Sequence, residues 1–296
     1  MLLSEVVQFK EGLDLLKDGE FTSLGLAVSV CEEKLLSFIE NEKYIDSLSD
    51  RITCLITTKA IGEKLKNKYG VIVSSNPRMD YFKLHNKLSS IEEYKRKEFE
   101  TIIGEGCEIS NLASISKSNV RIGNNVKIEE FVVIRENTVI EDNSIIRAGV
   151  VLGGEGYEYK RVDGIIMNVN HCGGVIIGEN VEVQYNGCID KALYPWDNTI
   201  IGSYSKLDNL VHIEHGVKIG NRCLIASRTT FGGRTIIGDD SWVGLGAIIS
   251  NGLILGNKVS VSLGSVVTKS LKDGEKVSGN FAINHNKYID FIRSIR

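Results

Sequence analysis

An apolar side chain recurs at every sixth position along much of this chain, and this period constrains the fold more than any other feature. The longest unbroken run comprises Ile201, Leu207, Ile213, Ile219, Ile225, Phe231, Ile237, Val243, Ile249, Leu255, Val261 and Val267. The same period covers residues 122–152, and shorter runs cover 103–115 and 177–189, which gives about 24 six-residue units in all. Four positions after the apolar residue the side chain is usually small or medium in size, as at Ser205 and Cys223.

A six-residue period is a whole multiple of the two-residue period of a β-strand, whereas a helix of roughly 3.6 residues per turn would spread these positions over all its faces. The pattern therefore predicts a β-solenoid in which short strands form flat sides and every sixth residue points inward. Three units to a coil give about eight coils, joined by backbone hydrogen bonds. Glycines such as Gly202, Gly220 and Gly238 directly follow inward positions, which supports the presence of corners there.

The overall composition limits the classes of function. A net charge of -3 over 296 residues gives no indication of a nucleic-acid partner. No stretch approaches the roughly 20 apolar residues that span a bilayer, and residues 1–10 lack the basic start of a signal peptide. The six cysteines form no C-x-x-C pair, which favours reduced thiols. We therefore expect a cytoplasmic protein without a membrane span.

The chain divides into three predicted parts. Residues 1–98 lack the period and indicate an α/β domain, residues 99–270 form the solenoid, and residues 271–296 form a tail with one short helix. The repeat is interrupted at 153–174 and 191–198, where loops can carry chemistry without disturbing the stacked coils. Within the first part we expect β-structure at 21–30, 53–57 and 71–74, a turn at 76–78, and helices at 60–68 and 79–88.

The repeat resembles the left-handed parallel β-helix of hexapeptide-repeat acyltransferases. The predicted left hand comes from that resemblance, because crossovers between parallel strands are otherwise nearly always right-handed. Members of that family form trimers with active sites between neighbouring subunits. The resemblance therefore implies a homotrimer for this chain.

Three segments resemble one family in particular, the UDP-3-O-acylglucosamine N-acyltransferases of the lipid A pathway. The segment VIVSSNPRMDYFKLHNKL at 71–88 is similar to the nucleotide-binding domain of that family. The segment VLGGEGYEY at 151–159 resembles its Gly-Asp-Gly-Phe-Gly-Tyr loop, with Glu155 in place of Asp, and DNLVHIEHGVKIG at 208–220 follows in the same order. The similarity extends over about residues 54–287.

The resemblance assigns the catalytic role to His215, which stands in the place of the family's catalytic histidine. An imidazole is suited to remove a proton from an amine that attacks a thioester. Asp208 matches an aspartate of the family and would orient this imidazole, although an Asx turn at a corner is an equal alternative. His212 is expected beside the catalytic groups, not on the substrate. Taken alone, His215 would fit an ordinary surface position.

Asn76, Arg78 and Tyr81 are the residues that the resemblance assigns to the nucleotide. An asparagine offers both a donor and an acceptor to a base, and an arginine offers a planar fork to phosphates. Asn-Pro is also an ordinary turn signal, so a structural role for Asn76 stays open. Tyr81 can equally be a core residue on a helix face.

Tyr157, Tyr159, His171, Asp190 and Lys191 complete the predicted nucleotide-sugar site. Both tyrosines lie in the aromatic loop, where simple packing on the neighbouring coil is the alternative. His171 fits the family's Pro-His-x-Gly segment without its proline. Asp190 and Lys191 match an Ile-Asp-Arg-Gly segment, with Lys in place of Arg, and a local corner hydrogen bond is the alternative for them.

Two departures from the family pattern concern the substrates. Leu253 follows Asn251-Gly252, where the family has a second active-site histidine. The long C-terminal helices associated with docking of acyl carrier protein are also not expected, because the sequence ends at Arg296. Leu253 argues against the lipid A substrate but not against acyl transfer, and the missing helices favour coenzyme A as the carrier of the acyl group.

We therefore predict an N-acyltransferase that moves an acyl group from a thioester, coenzyme A before acyl carrier protein, to the amino group of a UDP- or dTDP-linked sugar. No metal and no tightly bound cofactor are expected. The alternatives are the lipid A enzyme itself, with a 3-hydroxyacyl donor, a carbonic-anhydrase-like zinc lyase with His171, His212 and His215 of adjacent subunits as ligands, and a non-catalytic binding scaffold.

Overall fold

The computed structural model describes residues 1–9, 12–162, 164–279 and 281–295. Its dominant feature is a three-sided column of short parallel strands, in which each strand pairs with the strand one coil above and one coil below. In the described residues the three faces contain eight, nine and eight strands, in agreement with the eight coils predicted from the repeat. The column is a left-handed parallel β-helix, and the predicted fold class is confirmed.

The three faces are named by the order in which each coil visits them. The first face contains the strands Ile102–Ile103, Val120–Ile122, Thr138–Ile140, Gly174–Ile177, Asn198–Ile201, Lys218–Ile219, Ile236–Ile237 and Ile254–Leu255. The second face contains Glu108–Ile109, Lys127–Ile128, Ile145–Ile146, Glu182–Val183, Lys206–Leu207, Leu224–Ile225, Trp242–Val243, Ser260–Val261 and Lys276–Val277. The third face contains Ser114–Ile115, Val133–Ile134, Val151–Gly154, Cys188–Asp190, His212–Ile213, Thr230–Phe231, Ile248–Ile249 and Val266–Val267.

The sixth-position residues fill the interior of the column, as predicted. Ile189, Ile213, Phe231 and Ile249 stand in register on successive coils and are at most 1% exposed. These four side chains are apolar, so close packing alone stabilises the stack. At the open first coil the same position is uncovered, and Ile103 is exposed.

The small side chains four positions later turn the corners. The Ser205 hydroxyl donates to the carbonyl oxygen of Gly220 at 2.8 Å and accepts from the backbone N–H of Cys223 at 2.9 Å. A short hydroxyl can thus satisfy backbone groups that no strand partner reaches at a bend. The corner between the second and third faces also contains left-handed backbone, at Phe131 (φ 61), Leu210 (φ 60) and Gly246 (φ 65).

The α/β part, residues 1–98, is built on one five-stranded sheet. In order across the sheet, its strands are Asp14–Lys17, Gly70–Val73, Ile52–Thr57, Leu35–Ile39 and Ser23–Leu24. Only the edge strand Asp14–Lys17 runs antiparallel to its neighbour. The helices are Leu3–Val6, Lys59–Leu65 and Pro77–Leu88, with 3₁₀ turns at Val7–Phe9, Glu42–Ser47 and Glu92–Tyr94.

Two sequence predictions for this part need correction. The predicted β-rich stretch 21–30 contains a strand only at Ser23–Leu24, because the chain then turns through residues 27 and 28. Asn76 to Arg78 is not a free turn, since the helix already begins at Pro77 with Asn76 as its cap. The division of the chain at residues 98 and 270 remains a prediction.

The two interruptions of the repeat hold the α/β part against the column. Tyr194 and Trp196 lie in the second interruption, and their rings stack 5.8 Å apart. The Tyr81 hydroxyl donates to that of Tyr194 at 2.8 Å, and the indole N–H of Trp196 donates to the Leu24 carbonyl oxygen at 2.8 Å. The Arg96 guanidinium donates to the carbonyl oxygens of Pro195 and Asp197 and to the side chain of Asn198, at distances of 2.6 to 2.8 Å.

Beyond the last coil the chain forms the helix His285–Ser294, which has no buried residue. In the first interruption, the strands Tyr159–Val162 and Ile165–Asn168 pair to form an antiparallel hairpin that projects from the column. Across the described residues, no helix combines the length and the apolar character that a bilayer crossing demands.

Candidate active site

His215 lies at the corner between the third and first faces, two residues after the inward Ile213. Its side chain is nearly buried, at 6% exposed. The backbone passes close on both sides of the ring: a Cβ atom on Gly156 would be 2.9 Å from Nδ1, and one on Gly233 would be 2.6 Å from Nε2. Glycine at both positions therefore allows the imidazole to sit between two coils and the inserted loop.

The carboxylate that faces His215 belongs to Glu158. Its Oε2 atom lies 3.5 Å from Nε2 of His215, and Lys160 pairs with its Oε1 atom. Burial raises the pKa of Glu158, but the hydrogen bonds from His215 and Lys160 outweigh it and bring the pKa to about 2. Arg234 lies farther away, at 3.9 Å. Glu158 is therefore an ionised group that can stabilise a protonated imidazole.

Asp208 does not take the place predicted for it. Its carboxylate accepts from the backbone N–H groups of Asn209 at 2.6 Å and of Ser227 at 3.1 Å, so it stabilises a corner. The alternative of an Asx-type corner contact describes Asp208, and the structure contradicts its predicted contact with His215. Glu158 stands where the Gly-Asp-Gly-Phe-Gly-Tyr pattern has its third glycine, so the resemblance assigns no role to this residue.

A second imidazole lies beside the first. The His171 ring is 5.4 Å from the His215 ring, and Nδ1 of His171 lies 3.3 Å from Oε2 of Glu155. The contact with His171, followed by the ion pair with Lys191 at 2.8 Å, lowers the pKa of Glu155 to about 2. We call His171 and His215 the imidazole pair. The structure thus brings His171, Lys191 and His215 around one loop, residues 155–158, and the roles assigned to them remain predictions.

Tyr81 is not available to a ligand. The whole residue is 0% exposed, and its hydroxyl is bonded to that of Tyr194. Its ring lies 4.9 Å from Phe38 in the core of the α/β part. The structure contradicts the predicted contact between Tyr81 and a nucleotide, because the helix face that carries it turns inward.

Asn76 and Arg78 lie at the exposed start of the helix Pro77–Leu88. The Asn76 side chain accepts from the backbone N–H of Met79 at 3.4 Å, so it has the structural role of a helix cap. Arg78 lines a cavity of about 380 Å³ between the α/β part and the column. Lys160 and Arg234 also line this cavity, and neither was predicted from the sequence.

Tyr157 and Tyr159 lie on the outside of the inserted hairpin, with their rings 4.9 Å apart. Tyr157 is 80% exposed and Tyr159 is 45% exposed, so they do not pack on a neighbouring coil. Glu158, which lies between them in the sequence, contacts His215. Their predicted role in sugar binding remains a prediction.

His212 and Asp190 form a separate pair on the third face. Nε2 of His212 lies 3.3 Å from Oδ2 of Asp190, and this contact raises the pKa of His212. The three histidines of the zinc-lyase alternative are thus split, since His212 is turned toward Asp190 and Cys188 and not toward the imidazole pair. Within the described ranges, no group of histidines with metal-ligand spacing includes His171 or His215.

Comparisons with known proteins agree with this architecture. The family model described as bacterial transferase hexapeptide (six repeats) matches residues 119–154 and 198–233. A solved UDP-N-acetylglucosamine acyltransferase from Campylobacter jejuni has a similar structure, with a TM-score of 0.54 at 21% identity, over 66% of this chain and 79% of that one. The chain therefore has the β-helix fold of that structure, and its repeat is similar to that of the bacterial transferase hexapeptide family.

In sequence the chain is similar to UDP-3-O-acylglucosamine N-acyltransferases. The protein of that name from Delftia acidovorans is 37% identical over 139 residues, which cover 47% of this chain and 41% of the relative. The one from Campylobacter curvus is 34% identical over 132 residues, which cover 44% of this chain and 41% of the relative. The match thus spans about two fifths of the length of these curated relatives. The resemblance predicted from the sequence is confirmed over that span.

Proposed function

We propose that this protein is an N-acyltransferase that transfers an acyl group from a thioester to the amino group of a nucleotide-linked sugar, with His215 as the general base. The observation that carries the proposal is the buried His215 imidazole held against the ionised Glu158. A confined imidazole with a carboxylate partner is suited to accept a proton from a nucleophile. The relatives named above, which are N-acyltransferases, support the reaction class.

The nucleotide is proposed to bind in the cavity between the α/β part and the column. Three cations, Arg78, Lys160 and Arg234, line it, and Phe38, Tyr44 and Phe82 provide aromatic faces. Guanidinium and ammonium groups bind a diphosphate, and an aromatic ring can stack on a base. Lys160 connects the two sites, because its ammonium lies 4.3 Å above the Phe82 ring and also pairs with Glu158, the partner of His215.

The chemistry follows from the positions of these groups. The sugar amine attacks the thioester carbonyl, the new C–N bond forms, and the amine proton passes to the His215 imidazole. The C–S bond then breaks, and the sulfur of the leaving thiol takes up the proton from the His215 imidazolium, which restores the base. Glu158 stabilises the imidazolium in the interval, since it stays ionised. Coenzyme A is proposed as the carrier, and acyl carrier protein with a 3-hydroxyacyl group is the second donor to be tested.

We further propose a homotrimer in the cytoplasm, where nucleotide sugars and acyl thioesters meet. The six cysteines are free thiols, which agrees with a reducing compartment. An exposed apolar patch supports association through the corner between the second and third faces. It consists of Leu224, Trp242, Leu245, Ile248, Leu263 and Val266, all of them exposed. A contiguous exposed apolar patch of this kind is typical of a surface that associates with another protein.

The proposal is tested by thiol release with UDP- and dTDP-linked amino sugars as acceptors and with short-chain acyl-coenzyme A or 3-hydroxyacyl carrier protein as donors. His215→Ala is expected to lower kcat by about 100-fold or more, the usual contribution of a general base. His285→Ala is the matched control, because this histidine is exposed in the C-terminal helix. Unchanged turnover in His215→Ala would remove His215 from the mechanism. Failure of every acceptor and donor to react or bind would favour a binding scaffold.

A further inference from the structure

Cys188, Asp190 and His212 bring a thiol, a carboxylate and an imidazole together on the third face of the column. Cys188 and His212 are register partners on neighbouring strands, and Asp190 ends the strand that begins at Cys188. The ligand atoms of the three side chains all lie within 4.8 Å of one another. The repeat itself produces this cluster, because residues one coil apart stack side by side and residues two apart on a strand share a face.

The Asp190 carboxylate is poorly satisfied by its neighbours. Its side chain is only 7% exposed. In the part of the chain that the structure describes, its side-chain contacts are His212 Nε2 at 3.3 Å and Cys188 Sγ at 3.7 Å. A charge-assisted hydrogen bond to a carboxylate is usually about 2.8 Å long. A buried carboxylate with such long contacts has room for a cation between it and its two partners, and a cation would offset the cost of its burial.

We propose that Cys188 Sγ, a carboxylate oxygen of Asp190 and His212 Nε2 bind one divalent transition-metal ion, with Zn²⁺ as the ion that this ligand set fits best. Zinc bonds to sulfur at about 2.3 Å and to nitrogen or oxygen at about 2.0 Å. In a tetrahedral site, bonds of these lengths place the ligand atoms about 3.3 to 3.6 Å apart. The separation of 3.3 Å between His212 Nε2 and Asp190 Oδ2 matches this geometry. Cys188 Sγ lies 3.7 Å from the second carboxylate oxygen, Oδ1, and the ligand atoms of the three residues lie within 4.8 Å of one another.

The ligand types also argue against the hard cations. Thiolate and imidazole select Zn²⁺ or its neighbours in the first transition row, whereas Mg²⁺ and Ca²⁺ require oxygen ligands. On binding, the Cys188 thiol loses its proton to solvent as the sulfur–metal bond forms. Three protein ligands leave a fourth position, and the His212 side chain is 41% exposed, so water or a small anion can reach the ion.

This site is separate from the imidazole pair, and the inference does not depend on the proposed transfer reaction. His215 lies on the next corner, and His171 and Glu158 face it and not His212. The groove beside the cluster, about 550 Å³, is lined by Val151, Gly154 and Lys191, which adjoin Cys188 and Asp190 in the sheet and in the chain. A bound ion would thus border this groove and join two neighbouring coils.

The test uses the full chain after dialysis against a chelator, titrated with Co²⁺ and then with Zn²⁺. We expect one Co²⁺ per chain with a thiolate-to-cobalt charge-transfer band, which Zn²⁺ then displaces. Cys188→Ser should abolish the band, and Asp190→Asn and His212→Gln should each weaken Co²⁺ binding by more than about 10-fold. Cys107→Ser is the matched control, because this partly buried cysteine also belongs to the column but lies away from the cluster.

A second measurement does not require any variant to fold. Zn²⁺ should slow alkylation of Cys188 in the wild-type chain and leave that of Cys107 unchanged, as read by mass spectrometry of the labelled peptides. Absence of a charge-transfer band, or equal alkylation of Cys188 with and without Zn²⁺, would overturn the proposal. His215→Ala should bind Co²⁺ like the wild type, so the metal site and the transfer reaction can fail independently.

Discussion

The Glu158 carboxylate faces Nε2 of His215 at 3.5 Å, although the two residues are 57 positions apart in the sequence. The contact exists because the first interruption of the repeat folds back over the corner that carries His215. Glu158 is in turn fixed by Lys160 and by its own backbone, whose carbonyl oxygen accepts from Val169 at 2.9 Å. The inserted loop therefore supplies a charge that the regular coils do not.

Removal of this charge should slow catalysis without unfolding the protein. In Glu158→Gln the amide keeps the size of the side chain but no longer stabilises the imidazolium, so we expect kcat to fall by about 10- to 100-fold. Steady-state thiol release measures this effect, and a thermal melt checks the fold. Glu275→Gln, on the exposed last coil, should be neutral. Unaltered kcat in Glu158→Gln would mean that Glu158 only closes the loop.

The spacing around the imidazole pair gives a steric prediction. A methyl group at Gly156 would lie 2.8 Å from Nε2 of His171 and 2.9 Å from Nδ1 of His215, closer than carbon and nitrogen normally approach. Gly156→Ala should therefore displace one or both rings and abolish most turnover in the same assay. Gly279→Ala is its control, because a methyl group there meets nothing within 4 Å. Wild-type turnover in Gly156→Ala would show that the loop adjusts without cost to the pair.

The stacked interior should be sensitive to a single cavity. Phe231 is fully buried between Ile213 and Ile249, so Phe231→Ala should lower the free energy of unfolding by about 3 to 5 kcal/mol. Phe291→Ala removes the same ring from an exposed helix and should change it by less than about 0.5 kcal/mol. Urea denaturation followed by circular dichroism compares the two. Equal losses would contradict a close-packed column.

The junction between the α/β part and the column should weaken on acidification. His85 is buried there, with Nε2 at 2.7 Å from the Asn170 carbonyl oxygen and Nδ1 at 3.1 Å from the Tyr94 hydroxyl. Burial lowers its pKa from 6.5 to about 4. The unfolded chain therefore binds the proton first as the pH falls, and the free energy of unfolding should drop by about 2 kcal/mol between about pH 7 and about pH 5.

Urea denaturation at both pH values measures this loss, and His85→Gln should remove most of it because an amide does not titrate. His285→Gln should retain it, since that histidine is exposed. The carboxylates Glu155 and Glu158, with folded pKa values of about 2, lose their contribution mainly at lower pH. A pH dependence that persists in His85→Gln would assign the effect to another group.

The regular part of the molecule is predictable from sequence because one short rule repeats. Once Ile213 is inside, the place of His215 at the next corner follows from counting along the chain. The partners of His215 do not follow in this way, because Glu158 arrives on an inserted loop whose path depends on packing against the α/β part. Tyr81 fits a binding motif but is a core residue for a similar reason. The face that a helix buries decides which of its residues reach solvent, and a motif alone does not indicate that face.

Beyond His215, the corner side chains link positions 18 residues apart, as Asn221 does with Asp239 and Asp239 with Asn257. Such a column can gain or lose height only in whole coils of three six-residue units if inward and outward side chains are to keep their places. Each coil adds about 4.8 Å to the column and repeats the same set of contacts. The distance from the general base His215 to either end of the column can therefore change in steps of one coil, while the corner that holds the imidazole is unchanged.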